Sequence, residues 1–431
     1  IFHYVEMYLY MIICIIGSGG REHAICKSVA LSHKVKKIYC VPGNAGTQQI
    51  AENVNLDIDN FEEILKFLKD SKVDLVVVGP EKPLVDGIVD FLEKNDIKVF
   101  GPRKVPSQLE GSKTFTKNIC KKYNIPTANF GIFEKKESTI NFLKNSKFPI
   151  VIKADGLAAG KGVYISKNLS EANDAVSEIF NGKFGVAKKI LIEEFLNGEE
   201  MSFFIVCDGN NFKTFNTAQD HKRVNEGDNG KNTGGMGAYS PSGLINENLK
   251  NKIINKIISP TLKAISEMGE KYKGFLYVGL MIIDNEPFLI EYNVRMGDPE
   301  CQTILPLLKT KLIDIFTACC DENLNNLNIE WSEEKSLCIV LCSKGYPDKF
   351  INNVKIENLN NLKLNSNDFI FHAGTINGKN EILSNGGRVL NFVSLSKTFK
   401  SSRERSISLI NQLNWENGFF RKDIGFKIID K

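Results

Sequence analysis

Between residues 11 and about 112, short apolar runs alternate with amphipathic stretches, and that rhythm leaves few folds open. Strands are expected at 11–16, 35–41, 73–78 and 97–100, with helices at 21–31, 60–70 and 83–95. Apolar strands separated by helices pack as a parallel, doubly wound sheet, which binds ligands where its strands end. Gly101-Pro102 closes this unit. Ahead of it, Met7 to Ile16 is an apolar run too short to span a bilayer, and it lacks the positive flank of a signal peptide. The first core strand is expected to open at Met11, with residues 1–10 an extra leader.

The pattern changes to α+β from 113 to about 328. Ser112-Lys113 opens a helix, and strong strands are expected at 149–153, 190–195 and 201–206, with a long helix at about 246–270. The glycine-rich stretch 224–237 reads as a mobile loop. After an asparagine-rich link at 321–330, a third unit offers strands at 337–342, 368–372 and 387–393 and a helix at about 398–413. The expected division is a leader at 1–10, an α/β substrate-binding domain at 11–112, a central domain at 113–328 with a lid at about 133–200, and a small α+β domain at 336–431. With 42% hydrophobic and 25% charged residues in 431, the chain has ample core for several globular domains. A net charge of +4 is too small at this size to argue for nucleic acid or membrane as a partner. Ten cysteines without a CxxC pair suit reduced thiols in a cytoplasmic enzyme.

The densest chemistry lies in Glu291-Tyr-Asn293-Val-Arg295-Met-Gly297-Asp-Pro-Glu300, after an apolar strand. Period-two alternation puts Glu291, Asn293 and Arg295 on one face. A carboxylate and an amide oxygen are hard ligands for Mg²⁺, which leans on substrate phosphates, and the arginine adds a planar donor fork. Seen alone, the triplet would be a solvated strand end. Gly17-Ser-Gly19-Gly20-Arg21-Glu22 lies between a strand and a helix, so its amides can approach a phosphate, or simply form a tight turn. No acidic residue ends the second strand, which disfavours NAD. Val78-Gly-Pro80-Glu81 ends another strand of the same sheet. Lys153-Ala-Asp-Gly156-Leu-Ala-Ala-Gly160-Lys161-Gly162 is a glycine-rich loop between strands, lacking the Ser/Thr and helix of a Walker A loop. Such a flap can close over a triphosphate, or be a plain hairpin turn. About thirty residues on, Glu193-Glu194-Phe195-Leu196 and Glu199-Glu200 could offer backbone groups to adenine and a carboxylate to ribose. His23 and His221 have no nucleophile motif beside them and read as structural.

In this order the motifs resemble the ATP-grasp carboxylate–amine ligases, and most closely the phosphoribosylamine–glycine ligase family. IIGSGGREHA, VVGPEKPLVDGIVD, QLEGSKTFTK, VIKADGLAAGKGV, IEEFLNGEEMSF, QDHKR, NTGGMGAYSP, IEYNVRMGDPECQ, NGGRVL and FRKDIG carry the likeness from about 12 to 426. Sister ligases share the core but not QDHKR, NTGGMGAYSP or FRKDIG.

The resemblance implies ligation of glycine to 5-phosphoribosylamine through a glycyl phosphate, with ATP as co-substrate and Mg²⁺ or Mn²⁺ as metal, in purine biosynthesis, on a cytoplasmic monomer without nucleic-acid or membrane partners. It implies that Lys113 and Lys153 contact ATP phosphates under a 156–162 lid, with Gly156, Gly160, Lys161 and Gly162 in it. Glu193, Glu194, Phe195 and Leu196 would frame adenine, and Glu200 (or Glu199) the ribose. Glu291 and Asn293 would bind the metal, and Arg295 would steady the transferring phosphoryl and glycyl carboxylate. Asp220 would hold the glycine ammonium. Gly17, Gly19, Gly20, Arg21, Glu22, Pro80 and Glu81 would cradle phosphoribosylamine, with Gly297 beside the substrates. Met296 stands where the family often has phenylalanine, and the preceding strand lacks a second metal carboxylate. The chain ends soon after FRKDIG, so no fused downstream enzyme is expected. A sister ligase and a silent nucleotide-binding scaffold are the rivals; the glycine pocket around Asp220 and Arg295 would decide the first, and intact Lys153, Glu291, Asn293 and Arg295 speak against the second.

Overall fold

The computed structural model describes residues 10–157, 162–185 and 189–429. In the first unit, β1 (Met11–Gly17), α1 (Gly20–Val29), β2 (Val35–Pro42), β3 (Glu52–Asn53), α2 (Phe61–Asp70), β4 (Leu75–Val78), α3 (Glu81–Asp86), α4 (Ile88–Glu93) and β5 (Val99–Phe100) follow in turn. The strands form a parallel sheet in the order β3-β2-β1-β4-β5, so the expected doubly wound sheet is present. Ile13 and Ile15 face one core and Cys14 and Ile16 another, the alternation of a strand covered on both sides. The expected helix at 83–95 is broken at Gly87, whose φ of +100° a side chain would strain.

Then come α5 (Lys104–Gly111) and α6 (Lys113–Lys122), whose cap Ser112 accepts the Phe115 N–H. The next segment holds β6 (Phe130–Phe133), α7 (Lys136–Leu143), β7 (Ile150–Ala154), β8 (Val163–Ser166), α8 (Leu169–Phe180) and β9 (Ile190–Glu194). Its antiparallel sheet runs β6-β9-β7-β8 over a small apolar core of its own. Next are β10 (Glu199–Asp208), β11 (Phe212–Thr214), β12 (Gln219–Asp220), β13 (Arg223–Asn225), β14 (Asn229–Asn232) and β15 (Gly237–Ser240). The glycine-rich stretch at 224–237 is therefore no plain loop. It contains the β13–β14 hairpin and leads directly into β15. The helix expected at 246–270 is α9 (Glu247–Ile253) and α10 (Ser259–Glu267), joined by a π turn at Ile254–Ile258 ahead of Pro260.

β16 (Lys273–Ile283) and β17 (Glu286–Asn293) complete the central sheet, β11-β10-β16-β17. After α11 (Glu300–Ile304) and α12 (Leu312–Cys320) come β18 (Lys335–Ser343), β19 (Asp368–His372), β20 (Thr375–Asn377), β21 (Ile382–Ser384), β22 (Arg388–Ser396), α13 (Phe399–Leu413) and β23 (Gly418–Phe419). The last sheet runs β12-β15-β18-β22-β19, with β23 also on β18. It thus takes two strands from residues far upstream, and one apolar core is shared with the first unit, from Ile13 to Phe392. All ten cysteines are free, and nine are buried. Among the described residues, no helix is long and apolar enough to cross a membrane.

Candidate active site

β17 alternates as its sequence demands, with Tyr292 and Val294 buried and Glu291, Asn293 and Arg295 half-buried. Glu291 pairs opposite Gly279 and Asn293 opposite Tyr277, next to a register shift between Gly279 and Leu280. Among the described residues, no group of three or more His, Cys, Asp or Glu side chains is arranged to hold a metal. A cation there would have Glu291 and Asn293 as protein ligands and must complete its shell with other oxygens. That is how Mg²⁺ sits between protein and phosphates.

Lys113, at the first turn of α6, donates from Nζ to the Gly156 carbonyl at 2.8 Å. Asp155 accepts the Thr114 and Gly156 N–H groups, each at 3.1 Å, so the start of the glycine loop is tied to the helix. Gly156 has φ +98° and open space around it. Gly162 is buried at the loop's far end; Gly160 and Lys161 lie outside the described residues. Lys153 Nζ on β7 lies 2.7 Å and Lys117 Nζ on α6 2.8 Å from the two carboxylate oxygens of Glu193 on β9, all three side chains buried. Burial alone would raise the Glu193 carboxyl, but the two lysines hold it below its ordinary value. Burial lowers the Lys113 ammonium. The Glu194 carboxylate accepts the Asn129 N–H at 2.9 Å, and Phe195 is 38% exposed.

Deeper, Glu200, Ser202, Asp220, Lys222, Tyr277 and Glu291 line one cavity. Lys222 Nζ lies 2.8 Å from Glu200. Burial opposes its charge, yet Asp220 and Glu200 keep its ammonium well above the ordinary value. Burial raises Asp220. Beneath it, Glu300 accepts from Ser202 Oγ at 3.3 Å, and burial with the nearby Asp220 pushes its carboxyl up to about 7. A Cβ on Gly297 would sit 2.4 Å from a Glu300 oxygen, so a side chain there would have to displace the buried Glu300 carboxylate.

At the carboxyl edge of the first sheet, Glu22 folds back to accept the Gly19 N–H at 2.7 Å and the Arg21 Nε–H at 2.6 Å. Its side chain fills the space that side chains on Gly17 or Gly79 would need. The turn therefore presents a carboxylate and Arg21, not a bare nest of amides. Pro80 leads in extended conformation into α3, whose first residue is Glu81. Arg295 Nε lies 3.3 Å from Glu81, and its Nη2 donates to Glu110 at 2.7 Å. Arg21, Gly79, Gly101, Phe275, Arg295 and Met296 line the cleft between the units. The Met296 carbonyl accepts from both arginines, so its side chain is left to packing. From β22, Arg388 reaches the Gly234 and Asp298 carbonyls, each at 2.6 Å.

Glu291 lines one cavity and Arg295 the cleft, and three family domains match this chain in succession. They are the phosphoribosylglycinamide synthetase N domain at 11–110, the ATP-grasp (A) domain at 111–301 and the C domain at 336–427. The chain belongs to the phosphoribosylglycinamide synthetase family. It is 42% identical over 422 residues to the phosphoribosylamine–glycine ligase of Brucella melitensis, covering 98% of this chain and 99% of that one. With the ligase of Mesorhizobium japonicum it shares 44% over 420 residues, 97% of this chain and 99% of the relative. The crystal structure of phosphoribosylamine–glycine ligase from Thermotoga maritima superposes with TM-score 0.84 at 34% identity, over 96% of this chain and 100% of that one.

In this member of the family, the structure rearranges several expected contacts. The Glu193 side chain is spent on Lys117 and Lys153, so toward a nucleotide the 193–196 segment has backbone groups, Glu194 and Phe195 to offer. Glu200, expected at a ribose, stands with Lys222, Asp220 and Glu291. Lys117, Lys222, Glu110 and Glu300 were not singled out from sequence. Two had a signal: Lys117 is one helical turn beyond Lys113, on the same face, and Lys222 sits in the QDHKR run. Glu110 and Glu300 lie inside the QLEGSKTFTK and IEYNVRMGDPECQ motifs, but nothing local marks their carboxylates, because only tertiary packing gives them their partners. His23 and His221 are structural: the His372 N–H donates to His23 Nδ1 at 2.8 Å, and the Gly425 N–H to His221 Nε2 at 3.0 Å.

Proposed function

We infer that this chain joins glycine to 5-phosphoribosylamine using ATP, giving glycinamide ribonucleotide, ADP and phosphate, the ligation step of purine biosynthesis. Beside family membership, one observation carries the reading. Arg295, two residues past the metal-type ligand Asn293, reaches across the cleft to Glu81 at the mouth of the first sheet. The phosphoryl-transfer side and the amine-substrate side thus share one guanidinium. A free carboxylate is a poor electrophile. Glycine's carboxylate oxygen first takes the γ-phosphoryl of ATP, releasing ADP. The phosphoribosylamine nitrogen then attacks the acyl carbon, phosphate leaves, and the amine gives up its proton. Positioning and charge neutralisation dominate such chemistry, in keeping with a site rich in Lys and Arg.

In this scheme Lys113 and Lys153 bind ATP phosphates, and Gly156, whose carbonyl accepts from Lys113, belongs to the same phosphate-binding side of the site. Residues 193–196 meet adenine chiefly through backbone. Glu291 and Asn293 would hold Mg²⁺, or Mn²⁺, and the bound ion would supply charge neutralisation for the phosphates. Asp220 takes the glycine ammonium, and its burial beside Glu300 supports a site that wants a cation. Glu81, partly exposed at the cleft, suits ribose hydroxyls, while Arg21, held by Glu22, offers a donor to phosphate or ring oxygen. Free, mostly buried thiols support a cytoplasmic location. The test is ADP release by purified protein with ATP, Mg²⁺, glycine and fresh phosphoribosylamine, omitting one component at a time. Release that requires both substrates is expected; background release while ATP still binds would overturn the reading.

A further inference from the structure

Glu110 lies at the penultimate position of α5 and is nearly fully buried, its side chain 7% exposed. Both of its oxygens are engaged by the strand end that follows the metal-type ligands. One accepts the Val294 N–H at 2.8 Å, and the other accepts Arg295 Nη2 at 2.7 Å. These contacts span 184 and 185 residues of sequence, so they exist only in the assembled fold. A carboxylate here is locally unfavourable. Burial pushes it up to about 7 even with Arg295 beside it, and the negative end of a helix dipole disfavours an anion further. The second partner of Arg295, Glu81, sits farther away at 3.3 Å and is 29% exposed, at the mouth where a substrate would enter.

We propose that Glu110 is a positioning residue for the ligase reaction, fixing the Arg295 guanidinium and the Asn293–Arg295 backbone relative to each other. The proposal rests on the function assigned above. Glu110 is the permanent anchor of Arg295, and Glu81 its exchangeable partner. When phosphoribosylamine engages Glu81, the Nε edge of Arg295 is released toward the reacting groups, while Glu110 keeps the Nη2 edge in place. Glu110 touches no reacting atom, so its effect on catalysis passes chiefly through Arg295, its charged partner, and the Val294 N–H contact adds a smaller backbone share.

A double-mutant cycle tests this. Glu110→Gln retains shape but presents an NH₂ to one of two facing donors. It is expected to lower kcat roughly 10–100-fold, as loss of an outer partner of a reacting group does, with KM for ATP changed less than about twofold. In an Arg295→Lys background, which lacks the Nη2 donor, the same substitution is expected to cost less than about threefold, because coupled effects do not add. An equal factor in both backgrounds, an unchanged kcat, or a loss confined to KM would overturn the proposal. If Glu110→Gln fails to fold by circular dichroism, Glu110→Asp, which withdraws the carboxylate by one methylene, is carried through the same cycle and judged alike. Absence of turnover in the unsubstituted enzyme would overturn the functional reading, and this proposal with it.

Discussion

Arg295→Ala is the perturbation that most directly tests the site. The guanidinium, 17% exposed, is the charge partner of Glu110 at 2.7 Å and of Glu81 at 3.3 Å, and burial opposes its charge while those carboxylates sustain it. As one preorganised charge stabiliser, its loss is expected to cut kcat by roughly 10²–10³, about 2.7–4 kcal/mol in the transition state. Stability suffers too, since Glu110 is left buried without a cation. Breaking such a pair costs about 3–5 kcal/mol when both partners stay charged. Glu110 already lies near 7 and takes up a proton instead, so about 2–3 kcal/mol is expected and the fold survives. The sign with pH follows. In the enzyme Glu110 already holds a proton below about pH 7, and losing Arg295 raises it further, so relative to the enzyme the variant's destabilisation is small below about pH 7 and grows as pH rises above it. Steady-state ADP release at saturating substrates gives kcat, and thermal melts of enzyme and variant at about pH 6 and about pH 8 give the stability difference. Unchanged turnover would remove Arg295 from the mechanism, and a loss confined to KM would make it a ground-state binder only.

Glu291→Gln is expected to shift the Mg²⁺ activation curve to higher concentration, roughly 10-fold or more, and an unchanged metal titration would refute the ligand role. Lys117→Met leaves Glu193 with Lys153 alone; destabilisation by about 3 kcal/mol and a raised KM for ATP are expected in melts and initial rates, and a neutral outcome would show that the Lys117 contact contributes nothing. Burial holds His372 down at about 4, well below the ordinary 6.5. A depressed value means its contribution is present above about pH 6.5 and lost as pH falls toward 4, so His372→Gln should flatten the pH dependence of Tm in that window. A slope identical to that of the unsubstituted enzyme would assign the acid sensitivity elsewhere.

What the chain determined by itself is local. Alternating apolar runs and amphipathic helices specify the first sheet. Period two places Glu291, Asn293 and Arg295 on one side of β17, and Ser112 before Lys113 starts α6, because these features depend on a residue and its immediate neighbours. The motifs were legible for the same reason: each glycine turn or ligand pair is a few residues long. Tertiary structure decided the partnerships. Gln219 to Ser240 reads as a charged run and a glycine loop, yet two strands from it enter the last sheet, where β18 offers free backbone groups. The Glu193 carboxylate turned inward to Lys117 and Lys153, Glu200 to Lys222, and Glu22 back into its own turn. Period and spacing carry no information on which charge will be buried opposite which. That is set when distant segments pack, water leaves, and every desolvated carboxylate or ammonium must find a partner across the fold.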